Sequence, residues 1–494
     1  MRLQNSIVSG LGWTSLASFS SQGLRLLFKL VLAKLLLPED YGIIGMAAVF
    51  IGFIEVVSEM GMVSALIQRP KEKLHAQHYA TAFWLNIAIA LLGYGLIVFV
   101  ISPLAVWFYE EPILGEVMPL LALPFIFNTF YAIPKAKLSK NLKFKSQAIA
   151  EVVSVLIGGV IAISLAFQDW GVWALAWNGV VVSLVAALIY WLYVRWFPEF
   201  IFSRQAFHEL FGFGSKVMVE RIFHFFTLNI DYLLIGKLIG GAALGAYTLG
   251  FVLTNTLVKQ LTNVMNKVMF PAYSSIQKSK DAIAKYFLHI SKVSQLLVFP
   301  LMLGLIVLAK PIIQVGFGTQ WMMAVTPLQI LALATILNGL SANATVIMRS
   351  VGRSDLSMKL SITSTLISTI PAVTVGAIFF GINGAAIGIL IDRIFRFFWY
   401  QRTVHRLIGV HYLSLLEMAW KPLLACVFIG VLANLLYYLH PVSAWAHLLI
   451  GSALISTGYL WYLLIFEREL LDKVLVVTKI QDKVVTPVVK YINS

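Results

Sequence analysis

Long apolar stretches recur along the whole of this 494-residue chain, and they leave few folds open to it. They lie at about 11–35, 41–67, 78–101, 113–133, 147–167, 170–194, 211–236, 243–265, 286–308, 324–348, 358–380, 382–401, 422–439 and 444–466. Each is close to, or longer than, the ~20 residues that a helix needs to cross a hydrocarbon core of ~30 Å. In hydrocarbon every backbone amide must be satisfied within the span, so stretches of this kind fold as helices. Only 12% of residues are charged and 60% are hydrophobic. Soluble domains carry ~25% charged residues, so a soluble globule is excluded. The sequence predicts an all-α integral membrane protein of about fourteen transmembrane helices.

Lys and Arg in the connections orient such a chain. One set of connections gathers Arg2, then Arg69, Lys71 and Lys73, then Lys135 to Lys145, Arg195 and Arg204, and so on to Arg402, Arg406 and Lys421. The alternate set carries only Lys34, Lys237 and Lys310. Both termini are therefore expected in the cytoplasm, with the chain crossing the membrane many times. The net charge of +15 follows this topology and anionic headgroups, so it gives no reason to invoke nucleic acid. No cleaved leader is expected, because the N-terminus runs straight into a full-length span. The single cysteine, Cys426, excludes an internal disulfide and any cluster of cysteine ligands.

An internal repeat is visible. Leu32-Ala33-Lys34 and Tyr41-Gly42-Ile43-Ile44-Gly45-Met46 can be laid, at one constant offset, on Ile235-Gly236-Lys237 and Leu244-Gly245-Ala246-Tyr247-Thr248-Leu249. That offset pairs Lys34 with Lys237 and Gly42 with Gly245. Transporters are often built from related halves with substrate bound between them. The expected division is an N-terminal lobe at 1–205, a second lobe at 206–409, a helix pair at 410–466 and an amphipathic cytoplasmic tail at 467–494, the lobe boundary lying in the basic linker 197–209.

Charge inside the spans carries the functional reading. A charge at mid-bilayer costs ~2.5–3.5 kcal/mol even on the lenient insertion scale, so it faces a partner or a water-filled cavity. Arg25 and Lys29 lie i,i+4 on the first span, and Glu55 and Glu59 lie i,i+4 on the second. Guanidinium and ammonium groups suit phosphate oxygens, which makes Arg25 and Lys29 an anion-binding wall or, alternatively, partners of the two acids. Glu55 and Glu59 read as counter-charges, or as proton or sodium sites. On the seventh span Lys216, Glu220, His224, Thr227 and Asp231 form one stripe, with Arg221 beside it. Arg221 is the candidate for a substrate anion, and Glu220 and Asp231 for coupling or pairing. Asp392, Arg393 and Arg396 read best as a basic cap containing an i,i+4 pair. Asn338, Ser341, Asn343 and Thr345 could bond sugar hydroxyls or neighbouring helices equally well. There is no phosphate-binding glycine loop, metal-ligand cluster or nucleophile elbow.

The stretch from Arg25 to Gly45, centred on Leu35-Leu36-Leu37-Pro38-Glu39-Asp40-Tyr41-Gly42, resembles the opening of the Wzx-type polysaccharide flippases. These are the polysaccharide transporter branch of the multidrug/oligosaccharidyl-lipid/polysaccharide superfamily. The resemblance implies two six-helix lobes plus a terminal pair. It implies movement of an undecaprenyl-diphosphate-linked oligosaccharide to the external leaflet by alternating access, for surface polysaccharide biosynthesis. It also implies a cationic cavity, for which Arg25, Lys29 and Arg221 match by position. No cofactor is implied beyond proton or sodium coupling; the implied partners are the lipid-linked glycan, membrane lipids and polysaccharide polymerase or export machinery.

Two rivals remain. A cation-coupled multidrug exporter of the same superfamily would favour the acids Glu55, Glu220 and Asp231. A membrane glycan polymerase or ligase would need a large external loop, whereas the longest outward connection, at 309–323, has about fifteen residues.

Overall fold

Proline, acid and glycine at 38–42 begin the first complete helix of the computed structural model, which describes residues 20–58, 62–70, 72, 74–275, 279–439 and 443–468. Helix α1 covers 20–35, and α2 runs Pro38–Ser58. Pro38 occupies the first turn, where its missing N–H costs nothing. Asp40 reaches back to accept the Leu37 N–H at 2.9 Å, and Glu39 and Asp40 place negative charge at the positive end of the helix. The quoted motif is thus a helix start.

The chain continues as α3 (Met62–Gln68), α4 (Ala76–Leu96), α5 (Ser102–Tyr109), α6 (Ile113–Lys140), α7 (Phe144–Ala166), α8 (Val172–Val194), α9 (Arg204–Ile239) and α10 (Gly241–Ser275). It goes on through α11 (Lys280–Val307), α12 (Ala309–Gly316), α13 (Val325–Ser350), α14 (Ser354–Ser364), α15 (Ile370–Ile408), α16 (Tyr412–Leu439) and α17 (Ala444–Phe466). No strand occurs among the described residues. Among the described residues eleven helical runs are long and apolar enough to cross a membrane. One of them, Asp355–Ile408, is 54 residues long, and its backbone breaks at Gly381 (φ 59°, ψ −142°), the expected connection between the eleventh and twelfth stretches. Only glycine adopts that conformation without strain.

Helix α6 passes through Pro134 and ends at Lys140, beyond the sequence-based limit near 133. Lys140 then caps α3, donating to the Leu66 carbonyl at 2.9 Å and to the Arg69 carbonyl. Where α7 and α8 pack, small residues such as Ala150, Ser154, Gly158, Ala174 and Ala186 are buried. Phe99, Leu92 and Trp107 stand mostly exposed, as expected of side chains whose solvent is lipid. The non-helical stretch after α8 returns across α4: Trp84 Nε1 donates to the Glu199 carbonyl at 2.9 Å, and the Ser203 N–H to Thr81 Oγ1 at 3.0 Å.

By packing, the chain divides into two units. One joins the residues up to Thr248 with Val373–Ala385; the other joins Leu249–Ala372 with the residues from Ala386 on. Gly42 and Gly245 both belong to the first of these units. Both lie where α2 meets the start of α10, and the backbones approach too closely there for a side chain.

Candidate functional site

In the first unit α2, α3, α4 and α6 enclose a cavity of about 320 Å³. Its polar lining is Glu55 and Ser58 from α2, Asn86 from α4, and Asn128 and Thr129 from α6, with Phe125 on the apolar side. Asn128 links this cavity to a second polar group. Its Oδ1 accepts the Tyr131 hydroxyl at 3.0 Å, and the Tyr131 ring stacks on Tyr190 at 4.9 Å and 14°. Lys135 Nζ lies 3.4 Å from Glu151 Oε1 and 5.9 Å from the Tyr190 ring. Arg25 and Lys29 are exposed on α1, and the Lys29 carbonyl accepts the Tyr41 hydroxyl at 3.4 Å.

Of the candidate site residues, Glu55 lines this cavity, and Asn128 joins the cavity to Tyr131. Glu59 lies outside the described residues. Glu220 falls within α9, and its side chain is likewise outside them. Arg221 is half-buried on α9. Asp231, one helical stripe further on, is buried and accepts the Tyr247 hydroxyl at 2.7 Å. Tyr247 is itself fully buried and meets Tyr232 edge-on at 5.9 Å. A carboxylate bonded inside the protein in this way serves packing more directly than it serves a ligand.

Sequence reasoning missed Asn86, Asn128, Tyr131, Glu151 and Tyr190. None carries a motif; Glu151 was the one with a signal, an acid near the start of an apolar span. Near the end of α9, Lys237 Nζ sits 2.7 Å from Glu110 Oε1. That hydrogen bond and the lysine charge hold the Glu110 carboxyl below its usual range, although the side chain is largely exposed.

The second unit has its own polar knot. Asp392 is fully buried and Arg396 nearly so. Arg396 Nε donates to Asp392 Oδ2 at 2.7 Å, and its terminal nitrogen donates to Thr365 Oγ1 at 3.0 Å and Thr369 Oγ1 at 2.8 Å. Thr369 donates in turn to Asp392 Oδ1 at 2.9 Å. Thr365–Thr369 is a π-helical turn, which swings both hydroxyls towards the pair. The i,i+4 pair expected from sequence is therefore present, but buried and held by a neighbouring segment. Asn343 donates to Ser291 Oγ at 3.1 Å in a buried interhelical bond. Lys292 pairs with Glu467 at 2.7 Å. Among the described residues no group of three or more His, Cys, Asp or Glu side chains could hold a metal ion.

A polar-lined cavity inside a bundle of apolar spans suits a polar cargo crossing a membrane. The family model for "Polysaccharide biosynthesis protein" matches residues 31–326, more than half of the chain. The chain belongs to this polysaccharide biosynthesis protein family. Its similarity to relatives is spread over most of its length. It is 26% identical to the succinoglycan biosynthesis transport protein ExoT of Rhizobium meliloti over 95% of each chain. It is 24% identical to the lipopolysaccharide biosynthesis protein WzxC of Escherichia coli, over 85% of this chain and 86% of that one. It is 28% identical to the teichuronic acid biosynthesis protein TuaB of Bacillus subtilis, over 72% and 73%. Among solved structures, this family member superimposes on the lipid II flippase MurJ in its inward closed conformation with a TM-score of 0.72 at 16% identity, covering 93% of this chain and 99% of that one. An inward-facing multidrug resistance MATE transporter follows at TM-score 0.60 and 16% identity, covering 79% and 96%. At these identities the structures speak for the fold, an all-helical membrane transporter fold.

Proposed function

We propose that this protein is a flippase that carries a lipid-linked oligosaccharide across the bacterial cytoplasmic membrane for surface polysaccharide biosynthesis. The observation that carries the reading is membership of the polysaccharide biosynthesis protein family, with relatives named for succinoglycan transport and lipopolysaccharide biosynthesis over most of their length. The physics agrees. A diphosphate bearing a hydrophilic glycan cannot enter hydrocarbon without replacing its lost hydration. Arg25 and Lys29 on α1, and Arg221 on α9, would supply charge to the diphosphate. Asn86, Asn128 and Thr129 would supply hydrogen bonds to sugar hydroxyls. Glu55, with Glu59 and Glu220, would balance those cations or bind a coupling proton or sodium ion, and Asp231 would hold α9 to α10 through Tyr247.

The finer reading is an undecaprenyl-diphosphate carrier, alternating access between two six-helix lobes (1–205 and 206–409) and both termini in the cytoplasm. The basic connections support the orientation. Polymerase or export machinery would take up the product outside. Glu55 in the cavity is what a cation-coupled drug exporter would also offer, and this is the second reading. The purified chain in vesicles decides between them. A prenyl-diphosphate oligosaccharide on the inner leaflet should become accessible to an external lectin when the protein is present. Ethidium-type cations moving while the glycolipid stays put would favour the exporter.

A further inference from the structure

A groove of about 730 Å³ runs along one face of α15 in the second unit. Ile391, Ile394 and Phe398 line one end, Trp399 the middle, and Arg402 and Arg406 the other end. These positions fall three or four residues apart, so they form a single stripe. At about 1.5 Å per residue, Ile391 lies roughly 16 Å along the axis from Arg402. That is about half of a ~30 Å hydrocarbon core, the depth of one leaflet. Ile391, Ile394 and Phe398 stay 51%, 43% and 51% exposed, so the apolar end is open to an apolar occupant.

The charge at the other end is uncompensated. Arg402 and Arg406 are exposed, and among the described residues neither has an acid within salt-bridge distance. Arg396, on the same helix, is the contrast: its guanidinium is consumed by Asp392 and two threonines. Two guanidinium groups one turn apart match the oxygens of a phosphate. The basic connections assign this end of α15 to the cytoplasmic surface, at the level of the headgroups.

We propose that this groove binds one anionic glycerophospholipid of the cytoplasmic leaflet, its phosphate on Arg402 and Arg406 and an acyl chain along Phe398, Ile394 and Ile391. The occupant is the bulk lipid and not the glycan carrier. Among the described lining residues there is one hydroxyl, Thr403, and no amide or carboxylate that could hold a glycan. A site that reads only a phosphate and a chain is filled by the most abundant molecule that offers both.

Native mass spectrometry of the full chain, released from bilayers of phosphatidylglycerol and phosphatidylcholine in equal amounts, tests this. The wild type should retain phosphatidylglycerol preferentially. The double variant Arg402→Gln/Arg406→Gln should lose at least about fivefold of that retention. Arg349→Gln, which removes an exposed cation from the end of α13, should keep it. Ile394→Trp, which fills the groove and leaves both arginines, should lose it as well. Equal retention in the double variant, or preferential retention of phosphatidylcholine by the wild type, would overturn the assignment. So would displacement of phosphatidylglycerol by trace prenyl diphosphate.

Discussion

Gly42 and Gly245 meet at the crossing of α2 and α10 in a reciprocal contact. A methyl group on Gly42 would collide with the Gly241 carbonyl, and one on Gly245 with the Pro38 carbonyl. The offset that aligns Gly42 with Gly245 also aligns Pro38 with Gly241, so the two collisions are one contact seen from each repeat. Small residues at such a crossing let helices approach closely in lipid, where no hydrophobic force drives them together.

Alanine at either glycine should therefore force the crossing apart. Overpacking of this kind costs about 1–3 kcal/mol. Thermal unfolding of the detergent-solubilised protein should show a lower midpoint for Gly42→Ala and for Gly245→Ala. Gly95→Ala on α4, where nothing lies within 4 Å of the new methyl, should be neutral or slightly stabilising. Three equal midpoints would refute the close contact.

Removing one partner from the buried Asp392–Arg396 pair should be costlier. Arg396→Met leaves a fully buried carboxylate with only Thr369 and the more distant Arg393, 3.7 Å away, as partners. Loss of one member of a buried pair costs about 3–5 kcal/mol. The folded yield after membrane extraction should fall sharply. Asp392→Leu combined with Arg396→Met should recover much of it, because the buried pair is then removed as a unit, and Arg393, 3.7 Å from Asp392 Oδ2, is only partly buried. A double variant as damaged as the single one would contradict this.

The Glu110–Lys237 pair makes a smaller, pH-dependent contribution. Glu110 titrates lower in the folded protein than in the unfolded chain, held down by its hydrogen bond to Lys237 and by the lysine charge. Its contribution is therefore complete above the ordinary glutamate value of about 4.3 and disappears as acid protonates the folded carboxylate. The midpoint difference between wild type and Glu110→Gln should be constant near neutral pH and close in acid. High salt should also shrink it, because the side chain is exposed. A difference that grew in acid would have the wrong sign.

Transport should depend on Arg25 more than on Tyr131. Hydrogen bonds to charged groups contribute about 1.5–3 kcal/mol, so Arg25→Ala should slow glycolipid movement roughly ten- to hundredfold. Tyr131→Phe, which keeps the stack on Tyr190 and loses only the bond to Asn128, should cost less than tenfold. Initial rates in vesicles measure both. A wild-type rate for Arg25→Ala combined with Arg221→Ala would remove these arginines from the site.

Much of this was legible in the chain itself. Helical class follows from the bilayer-length apolar stretches, and the start of α2 follows from Pro38, Asp40 and their spacing. The acids were visible too, but their partners were not. Glu55 and Asp231 look alike in sequence. One faces a cavity and the other meets Tyr247 on the next helix, a difference made by packing and not by local spacing. Lys135 reads in sequence as part of a basic connection, yet the helix continues through Pro134 and the lysine meets Glu151. Thr365 and Thr369 gave no signal at all, since neutral hydroxyls on an apolar span mostly bond their own helix.

The leaflet position of the lipid-linked glycan in a strain lacking this gene, and holding no second flippase, tests the proposed function most directly. A completed prenyl-diphosphate glycan should accumulate on the cytoplasmic side while surface polymer is lost, and supplying the Arg25→Ala variant should reverse neither defect fully. Normal surface polymer with no accumulation would contradict the flippase reading. A glycan that reached the outer leaflet but stayed unpolymerised would contradict it equally, and would point to an enzyme.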